Sequence, residues 1–166
     1  MPMSPLPTSA VRRYWLMKSE PADCSIDDAL AATHATVPWT GVRNYQARNF
    51  MRDEMQVGDD VLFYHSSCPQ PGIAGLARVA SCTRPDPTQF DPASPYFDAK
   101  STVEQPRWLL LDVQALRKTR LVSLAELRAR PELAAMRLLQ RGNRLSITPI
   151  LATEWTVITE ALMASQ

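Results

Sequence analysis

The chain has 166 residues, 45% of them hydrophobic, and a net charge of +1 at pH 7, which is the composition of one ordinary globular domain. This near-neutral charge excludes a nucleic-acid binder that relies on bulk positive charge, so such a role would need a local basic patch and a specific pocket. Three cysteines without CxxC spacing exclude a disulfide framework and a zinc site, which favours a reducing cytoplasm. No apolar run approaches the roughly 20 residues of a membrane span. We therefore expect no membrane partner, no metal and no cofactor.

The first segment, residues 1–10, has the composition of a disordered leader, because its three prolines among small residues bury little apolar area. It lacks the apolar stretch and the positive charge of a secretion signal. The domain itself is predicted to span residues 11–164. Its first element is a strand over residues 13–18, in which Trp15 and Lys18 lie on opposite faces.

Capping residues predict the first two helices. Ser25 and Asp28 form a capping box, so a short helix is expected from there to about residue 33. Asn44 is a good N-cap for a second helix, which is predicted to end at Gly58, where a left-handed residue is favoured. The apolar stripe of this helix is Ala47, Phe50, Met51 and Met55.

The region from residue 37 to residue 66 has polar and aromatic residues at the ends of its elements and apolar residues in their middles. Trp39 lies on a loop just ahead of the second helix. A strand over residues 60–66 follows that helix. Alternation along this strand points Tyr64 and Ser66 to one side and His65 to the other. We expect this region to form one wall of a base-sized pocket.

The second half of the chain has strands and helices without regular βαβ alternation, which favours a mixed α+β domain with a curved or barrel-like sheet. Strands are predicted over residues 73–83 and 107–119, separated by a proline-rich loop over residues 84–105. The remaining predicted elements are a capping box at Ser123–Glu126, a short helix at Pro131–Met136, an extended segment at 141–150 and a last helix at 151–162.

The sequence offers little support for catalysis. Of the two histidines, His34 is expected to be solvated or to cap a helix, and His65 points away from its neighbour Ser66. No HExxH, GxSxG, P-loop or GxGxxG pattern occurs, so we expect no catalytic residues. Two alternatives stay open. One is a small-molecule or nucleotide-binding regulatory domain, and the other is an enzyme acting on a modified nucleotide with His65 or a pocket carboxylate as base.

A pocket for a nucleic-acid base needs aromatic faces for stacking and fixed polar groups for the base edge. The stacking candidates are Trp15, Trp39 and Tyr64; the edge candidates are Ser19, Asn44 and Ser66; the phosphate candidates are Lys18, Arg43 and Arg48. Structural alternatives remain for several of them. Trp15 also fits a core position, and Arg48 and Arg52 also fit a solvated helix face. Arg137, Arg141 and Arg144 either cap the preceding helix or add a basic rim around Ser146.

Five parts of the chain resemble the motifs of one known family, the EVE domain. They are YWLMKSEP, WTGVRNYQARNFMRDEMQVGDDVLFYHS, GIAGLARV, YFDAKS with PRWLLLDV, and MRLLQRGNRLSITPI, in this order over residues 13–162. The resemblance implies an α+β, PUA-like fold, a mixed β pseudo-barrel with surrounding short helices. It also implies a non-enzymatic module that takes a modified base of DNA or RNA into a pocket, with methylated or hydroxymethylated cytosine as the leading suggestion.

The resemblance also extends the expected site to His65, Leu145 and Ser146. The full expected base-binding set is Trp15, Lys18, Ser19, Trp39, Arg43, Asn44, Tyr64, His65, Ser66, Leu145 and Ser146, with Arg48 and Arg52 at phosphate. The YFDAKS motif carries Ala99, where proline is common in the family, so this loop is expected to differ slightly. The expected partner is nucleic acid carrying a modified base, and the oligomeric state is left open.

Overall fold

The computed structural model describes residues 12–163, so the predicted leader over residues 1–10 lies outside the described part of the chain. The strands are β1 (Tyr14–Ser19), β2 (Thr36–Pro38), β3 (Asp60–His65), β4 (Gly72–Val79), β5 (Arg84–Pro85), β6 (Leu109–Leu110), β7 (Asp112–Ser123) and β8 (Ile147–Ile150). The helices are α1 (Ile26–Ala31), α2 (Tyr45–Asn49, continued by a π turn at Phe50–Glu54), α3 (Leu124–Arg128) and α4 (Ala152–Thr156, continued by a π turn at Val157–Leu162). Short 3-10 turns lie at Thr33–Ala35, Pro87–Phe90, Pro131–Leu133 and Arg137–Leu139. The predicted α+β class is confirmed.

The main sheet has six strands in the order β2-β7-β4-β3-β1-β8. β1 and β3 are parallel neighbours, and β8 pairs antiparallel with the other side of β1. The register of β4 shifts against both β3 and β7, and such irregularities increase the local bend and twist of a sheet. Because β1 and β3 are parallel, their carboxyl ends meet at one edge of the sheet, beside the start of β8.

Side-chain alternation along the central strands divides the core into two clusters, one on each face of the sheet. Trp15 and Phe63 belong to the first cluster, with α1 and α2. Leu16, Leu62 and Tyr64 belong to the second cluster, with α3 and α4. Full burial of each large apolar side chain contributes about 1.5–3 kcal/mol. The alternation predicted for β1 and β3 is therefore confirmed.

The second helix is shorter than predicted. Asn44 caps it as expected, since its side-chain oxygen accepts the Ala47 N–H at 3.0 Å. The helix then widens into the π turn and ends at Glu54 rather than at Gly58. Met55 has extended backbone but stays 8% exposed, so the whole predicted apolar stripe is buried. Gly58, with φ of +95°, forms the turn before β3, where a glycine is favoured.

The other predicted elements form with shifted boundaries, whereas the short strands β2 and β5 were not predicted. Both predicted capping boxes form, at Ser25 and at Ser123. The strand expected to end at residue 119 continues to Ser123, because β7 pairs with β4 up to that residue. The helix expected from Pro131 is a single 3-10 turn that ends at Leu133.

Candidate base-binding site

A cavity of about 700 Å³ opens at the edge where the carboxyl ends of β1 and β3 meet the start of β8. One side of the cavity is formed by the end of β1, the turn after β1 and the residues that directly follow β3. The other side is formed by β2 and the residues after it, by the residues just ahead of β8, and by Tyr96 of the long loop. The lining residues are Lys18, Ser19, Glu20, Ala22, Asp23, Cys24, Val37, Pro38, Trp39, Thr40, Gly41, Val42, Ser66, Ser67, Tyr96, Arg144 and Ser146. This volume lies in the range of small-ligand pockets.

Serines reach the cavity because strand pairing brings three chain segments together. The Ser66 N–H donates to the Ser19 carbonyl at 2.9 Å, and the Lys18 N–H donates to the Ser146 carbonyl at 2.8 Å. The Ser19 hydroxyl donates to the Cys24 carbonyl at 2.6 Å, which holds the turn after β1 against the strand. The sheet register therefore places several hydroxyl groups where they can meet the polar edge of a ligand.

Lys18 brings a half-buried positive charge to the same wall. Within residues 12–163 its ammonium group forms no salt bridge. Burial lowers the pKa of Lys18, because desolvation disfavours the charged form. A half-buried ammonium group of this kind is suited to a carbonyl or phosphate oxygen of a ligand.

Trp39 and Tyr96 supply the aromatic surface of the cavity. Trp39 follows β2, is 7% exposed and packs edge-on against Phe63, with 5.3 Å between the ring centroids, so it is both a core residue and a wall. The Tyr96 ring lies directly over Gly41, where an added Cβ would be 2.8 Å from a ring carbon. Gly41 also has φ of +83°. Glycine is thus needed at this position for backbone conformation and for space.

Arg43 holds Tyr96 in place instead of lining the cavity. Its guanidinium donates twice to the Tyr96 carbonyl, at 2.8 and 3.0 Å, and its Cζ lies 5.6 Å from the centre of the Tyr96 ring. It also pairs at 3.1 Å with Asp86, which is fully buried. The Asp86 carboxylate in turn accepts the Gly41 N–H at 2.8 Å and the Thr88 hydroxyl at 2.6 Å. We call this group of Arg43, Asp86, Gly41, Thr88 and Tyr96 the clasp.

The electrostatics of the clasp favour an ionised Asp86. Burial by itself raises the pKa of this carboxyl group. The hydrogen bonds from Thr88, Gly41 and Arg43 outweigh burial and hold the pKa of Asp86 below its usual value. The aromatic wall therefore rests on an ion pair whose carboxylate is fully buried and has a partner at each oxygen.

The rest of the long loop is fixed by the buried side chain of Gln89. Its amide nitrogen donates to the carbonyls of Asp86 and Trp108, at 2.7 and 2.8 Å. Its side-chain oxygen accepts the N–H groups of Arg107 and Trp108, at 3.1 and 3.0 Å. The loop is ordered around these polar contacts, whereas Phe97 in the same loop is 42% exposed.

The turn after β1 adds an acidic side to the cavity through Glu20 and Asp23. Asp23 accepts the Tyr96 hydroxyl at 3.3 Å, which links this turn to the long loop. Burial, with smaller effects from Asp28 and Asp23, raises the pKa of the Cys24 thiol. A thiol with a raised pKa stays protonated and is a poor nucleophile.

The structure brings five of the expected base-binding residues together around the cavity. They are Lys18, Ser19, Trp39, Ser66 and Ser146. Leu145, next to them in the chain, is partly buried against the first core cluster and does not line the cavity.

Trp15, Tyr64 and His65 lie elsewhere. Trp15 is 1% exposed and donates its indole N–H to Asp59 at 2.9 Å, while Tyr64 is 3% exposed in the second core cluster. His65 Nε2 accepts the Ile26 N–H at 3.1 Å and so caps α1. Ser66, which directly follows β3, lines the cavity, whereas Tyr64 packs in the core and does not line it.

The predicted phosphate contacts on α2 are engaged within the protein. Arg48 donates to the Asn49 side chain at 2.8 Å and to the Arg107 carbonyl at 2.9 Å. Arg52 pairs with its neighbour Asp53 at 2.8 Å. Asn44 and Arg43 act as helix cap and clasp, so neither lines the cavity.

Sequence reasoning missed Tyr96, Glu20 and Asp23. Tyr96 and Glu20 both lie inside motifs that carry the family resemblance, YFDAKS and YWLMKSEP. These motifs could have pointed to the two residues. The spacing of residues in the sequence, however, does not show that Tyr96 in the long loop reaches the end of β1.

Comparison with known proteins gives the family. The EVE domain model matches residues 13–161. The chain belongs to the EVE domain family. It is 40% identical to human thymocyte nuclear protein 1, over 87% of this chain and 72% of that protein.

Solved structures agree with this assignment and with the PUA-like fold. A Pseudomonas putida protein is 48% identical, with a TM-score of 0.83, covering 88% of this chain and 97% of that one. Human THYN1 protein, crystallised in complex with 5-methylcytosine containing DNA, is 39% identical with a TM-score of 0.87, covering 93% of this chain and 99% of that one. Among the described residues of our chain, no helix is long and apolar enough to cross a membrane.

Proposed function

We propose that this EVE domain is a non-enzymatic nucleic-acid-binding module that takes a modified base, with methylated or hydroxymethylated cytosine favoured, into the cavity beside Trp39 and Tyr96. The observation that carries the proposal is one cavity that combines two aromatic side chains, a half-buried ammonium group and several serines. The crystallised chain of human THYN1 protein, 99% of which is covered by the match, was solved in complex with 5-methylcytosine containing DNA. In this protein we assign base contacts to Lys18, Ser19, Trp39, Ser66 and Ser146.

The chemistry of the cavity matches a base in each of its parts. A base presents a flat apolar face, which stacks on aromatic side chains, and an edge of donors and acceptors, which pairs with side chains. Lys18 and the hydroxyls of Ser66 and Ser146 supply donors, and Ser19, whose hydroxyl already donates to the Cys24 carbonyl, supplies an acceptor. The carboxylates of Glu20 and Asp23 supply further acceptors, of the kind that pair with the amino group of cytosine. Thymine presents a carbonyl oxygen in place of that amino group, so a carboxylate at this position disfavours it.

The energetics predict modest affinity for a free nucleoside. Stacking contributes about 1–3 kcal/mol per base. Burial of a methyl group adds about 0.8 kcal/mol, which corresponds to roughly fourfold in affinity. Tight binding therefore requires further contacts with the strand around the base, and an oligonucleotide should bind more tightly than the nucleoside that it contains.

Two observations favour binding over catalysis. His65, the candidate base, lies outside the cavity and its Nε2 already accepts the Ile26 N–H. Cys24, the thiol that lines the cavity, has a raised pKa. Incubation with modified oligonucleotides, read by mass spectrometry, tests this part of the proposal. Unchanged mass is expected, and turnover that is lost in a His65 variant would refute it.

We also propose a cytoplasmic location, which the three free cysteines support, because free thiols are typical of reducing compartments.

The alternative of a small-molecule or nucleotide regulatory domain would use the same cavity. The discriminating experiment is a titration with oligonucleotides that differ only in one cytosine, which is unmodified, 5-methyl or 5-hydroxymethyl. We expect tighter binding of a modified strand. Equal affinity for all three strands, with no dependence on salt, would refute base recognition and favour the alternative.

A further inference from the structure

The segment ahead of β8, Arg137–Arg144, carries unpaired positive charge. Its sequence, RLLQRGNR, has three arginines and no acidic residue, and all three arginine side chains are exposed. Within residues 12–163, eight other arginines each pair with a carboxylate, whereas none of these three does. We call Arg137–Arg144 the basic segment.

The basic segment runs from the second core cluster to the cavity, around the edge of the sheet formed by β8. Leu138 packs in the second cluster, and the chain re-enters the first cluster at Leu145. Arg144 lines the cavity itself. The Cζ of Arg137 lies 5.9 Å from the centre of the Phe50 ring, which places this charge beside α2 on the same face of the sheet as Trp39. Arg144 thus lies at the cavity, and Arg137 lies on the same face of the sheet as the cavity's Trp39.

The basic segment is also open to a partner. Its turn is made by Gly142, with φ of +80°, and no atom lies within 4 Å of the place where a Cβ would be. A large, flat or charged partner can therefore approach the backbone here without a clash. Exposed arginines on such a turn are well placed to meet phosphate oxygens.

Negative and positive charges lie on different sides of the cavity. Glu20 and Asp23 line it on the turn after β1, and α1 begins a few residues later with Asp27 and Asp28. Phosphates are repelled by this acidic turn and attracted by the basic segment. The cavity therefore has a preferred side for a nucleic-acid backbone.

We propose that the phosphates that flank the bound base lie along the basic segment, on Arg137, Arg141 and Arg144, and not on α2. The proposal rests on the proposed function, since it assumes that the base enters the cavity. It gives a near-neutral protein a local electrostatic contact with the strand, which releases counterions and makes binding dependent on salt. Sequence recognition is left to the cavity, because phosphate contacts do not discriminate between bases.

The test compares two triple variants of the full chain that each lose three exposed arginines. R137A/R141A/R144A removes the basic segment, and R78A/R117A/R128A removes three exposed arginines that neither line the cavity nor form a described salt bridge. Affinity for a single-stranded oligonucleotide with one 5-methylcytosine, and for its unmodified twin, is measured by fluorescence anisotropy at several salt concentrations. A thermal melt confirms folding. R137K/R141K/R144K serves as the charge-retaining version.

The expected result is a smaller salt dependence for the first variant only. Each phosphate contact on a single strand contributes about 0.7 to the slope of log affinity against log salt, so three contacts account for a roughly 20-fold loss between about 50 and about 200 mM salt. R137A/R141A/R144A should lack this loss, and the lysine version should behave like wild type.

Equal slopes for the two alanine variants, or a lysine version that behaves like the alanine one, would overturn the proposal. Should R137A/R141A/R144A fail to fold, the single variants R137A, R141A and R144A are measured beside R78A/R117A/R128A. A slope that is reduced in the single variants and unchanged in R78A/R117A/R128A supports the basic segment, and wild-type slopes in all of them overturn the proposal. A wild-type protein without preference for the modified strand would refute the proposed function, and the slopes would still report on the phosphate contacts.

Discussion

Replacement of Asp86 by Asn tests the clasp that holds the aromatic wall. The side chain of Asp86 is fully buried, pairs with Arg43 at 3.1 Å and accepts the Gly41 N–H at 2.8 Å. Asn has nearly the same shape, but it removes the charge and turns one acceptor oxygen into a donor that faces other donors. Breaking a buried, hydrogen-bonded ion pair on one side costs about 3–5 kcal/mol. For a domain of this size that is a loss of roughly 6–20 °C in melting temperature.

The assay is thermal unfolding of D86N beside a matched control, D112N. Asp112 pairs with Arg84 at 2.9 Å, but the two side chains are 25% and 49% exposed, and an exposed pair is worth about 0–1 kcal/mol. D86N should also bind a modified oligonucleotide more weakly at temperatures where it is folded, because Arg43 no longer holds Tyr96 against Gly41. Equal melting temperatures for the two variants would refute the assigned role of the clasp.

The pH dependence gives a second check on the same residue. The folded pKa of Asp86 lies below its usual value of 3.8, so the folded state favours the ionised form. The stabilisation is present above this usual value and is lost as pH falls through the lower, folded pKa. The difference in stability between wild type and D86N should therefore shrink below pH about 4. A difference that stays constant down to strong acid would contradict an ionised Asp86.

Three further predictions concern single residues. Y96A should weaken binding of a modified oligonucleotide by about 5- to 150-fold, the equivalent of one stacking contact, whereas Y96F keeps the ring; similar affinities for the two variants would rule out stacking on Tyr96. K18M should lower affinity for the modified oligonucleotide by about tenfold or more, because it removes a charge-assisted hydrogen bond. It should not lower the melting temperature, since burial disfavours the Lys18 charge. Unchanged affinity with a lower melting temperature would mean that Lys18 has a structural role. Burial, opposed in part by Asp27, lowers the pKa of His65 from its usual 6.5. The contribution of His65 to the stability of the folded protein is therefore present above that value and is lost as pH falls below it. H65Q should remove this dependence while it keeps an acceptor for the Ile26 N–H, and an unchanged profile of melting temperature against pH would contradict the capping role.

Local sequence patterns predicted the fold well wherever a single interaction between nearby residues determines the local structure. The capping boxes at Ser25 and Ser123 and the cap at Asn44 all form, because a helix start is a contact between residues three apart. Alternation along β1 and β3 sorted the core faces correctly for the same reason. The end of α2 was predicted wrongly because the helix widens into a π turn, which no local pattern marked.

The site was harder to predict because it is made of segments distant in sequence. Lys18, Ser19, Ser66 and Ser146 meet only through strand pairing. Arg43 shows the limit clearly. Its position ahead of a helix suggested a ligand contact, but its partners lie 43 to 53 residues away in the long loop, and only the fold reveals that it supports Tyr96.

The central claim is that a modified base enters the cavity between β1, β3 and β8. It is tested most directly by NMR with an oligonucleotide whose 5-methylcytosine carries a 13C-labelled methyl group. Our account predicts nuclear Overhauser contacts from this methyl group to ring protons of Trp39 or Tyr96, with a ring-current shift that changes in Y96A or in W39F. A bound methyl group that keeps its free chemical shift, or that contacts only residues outside the cavity, would contradict it.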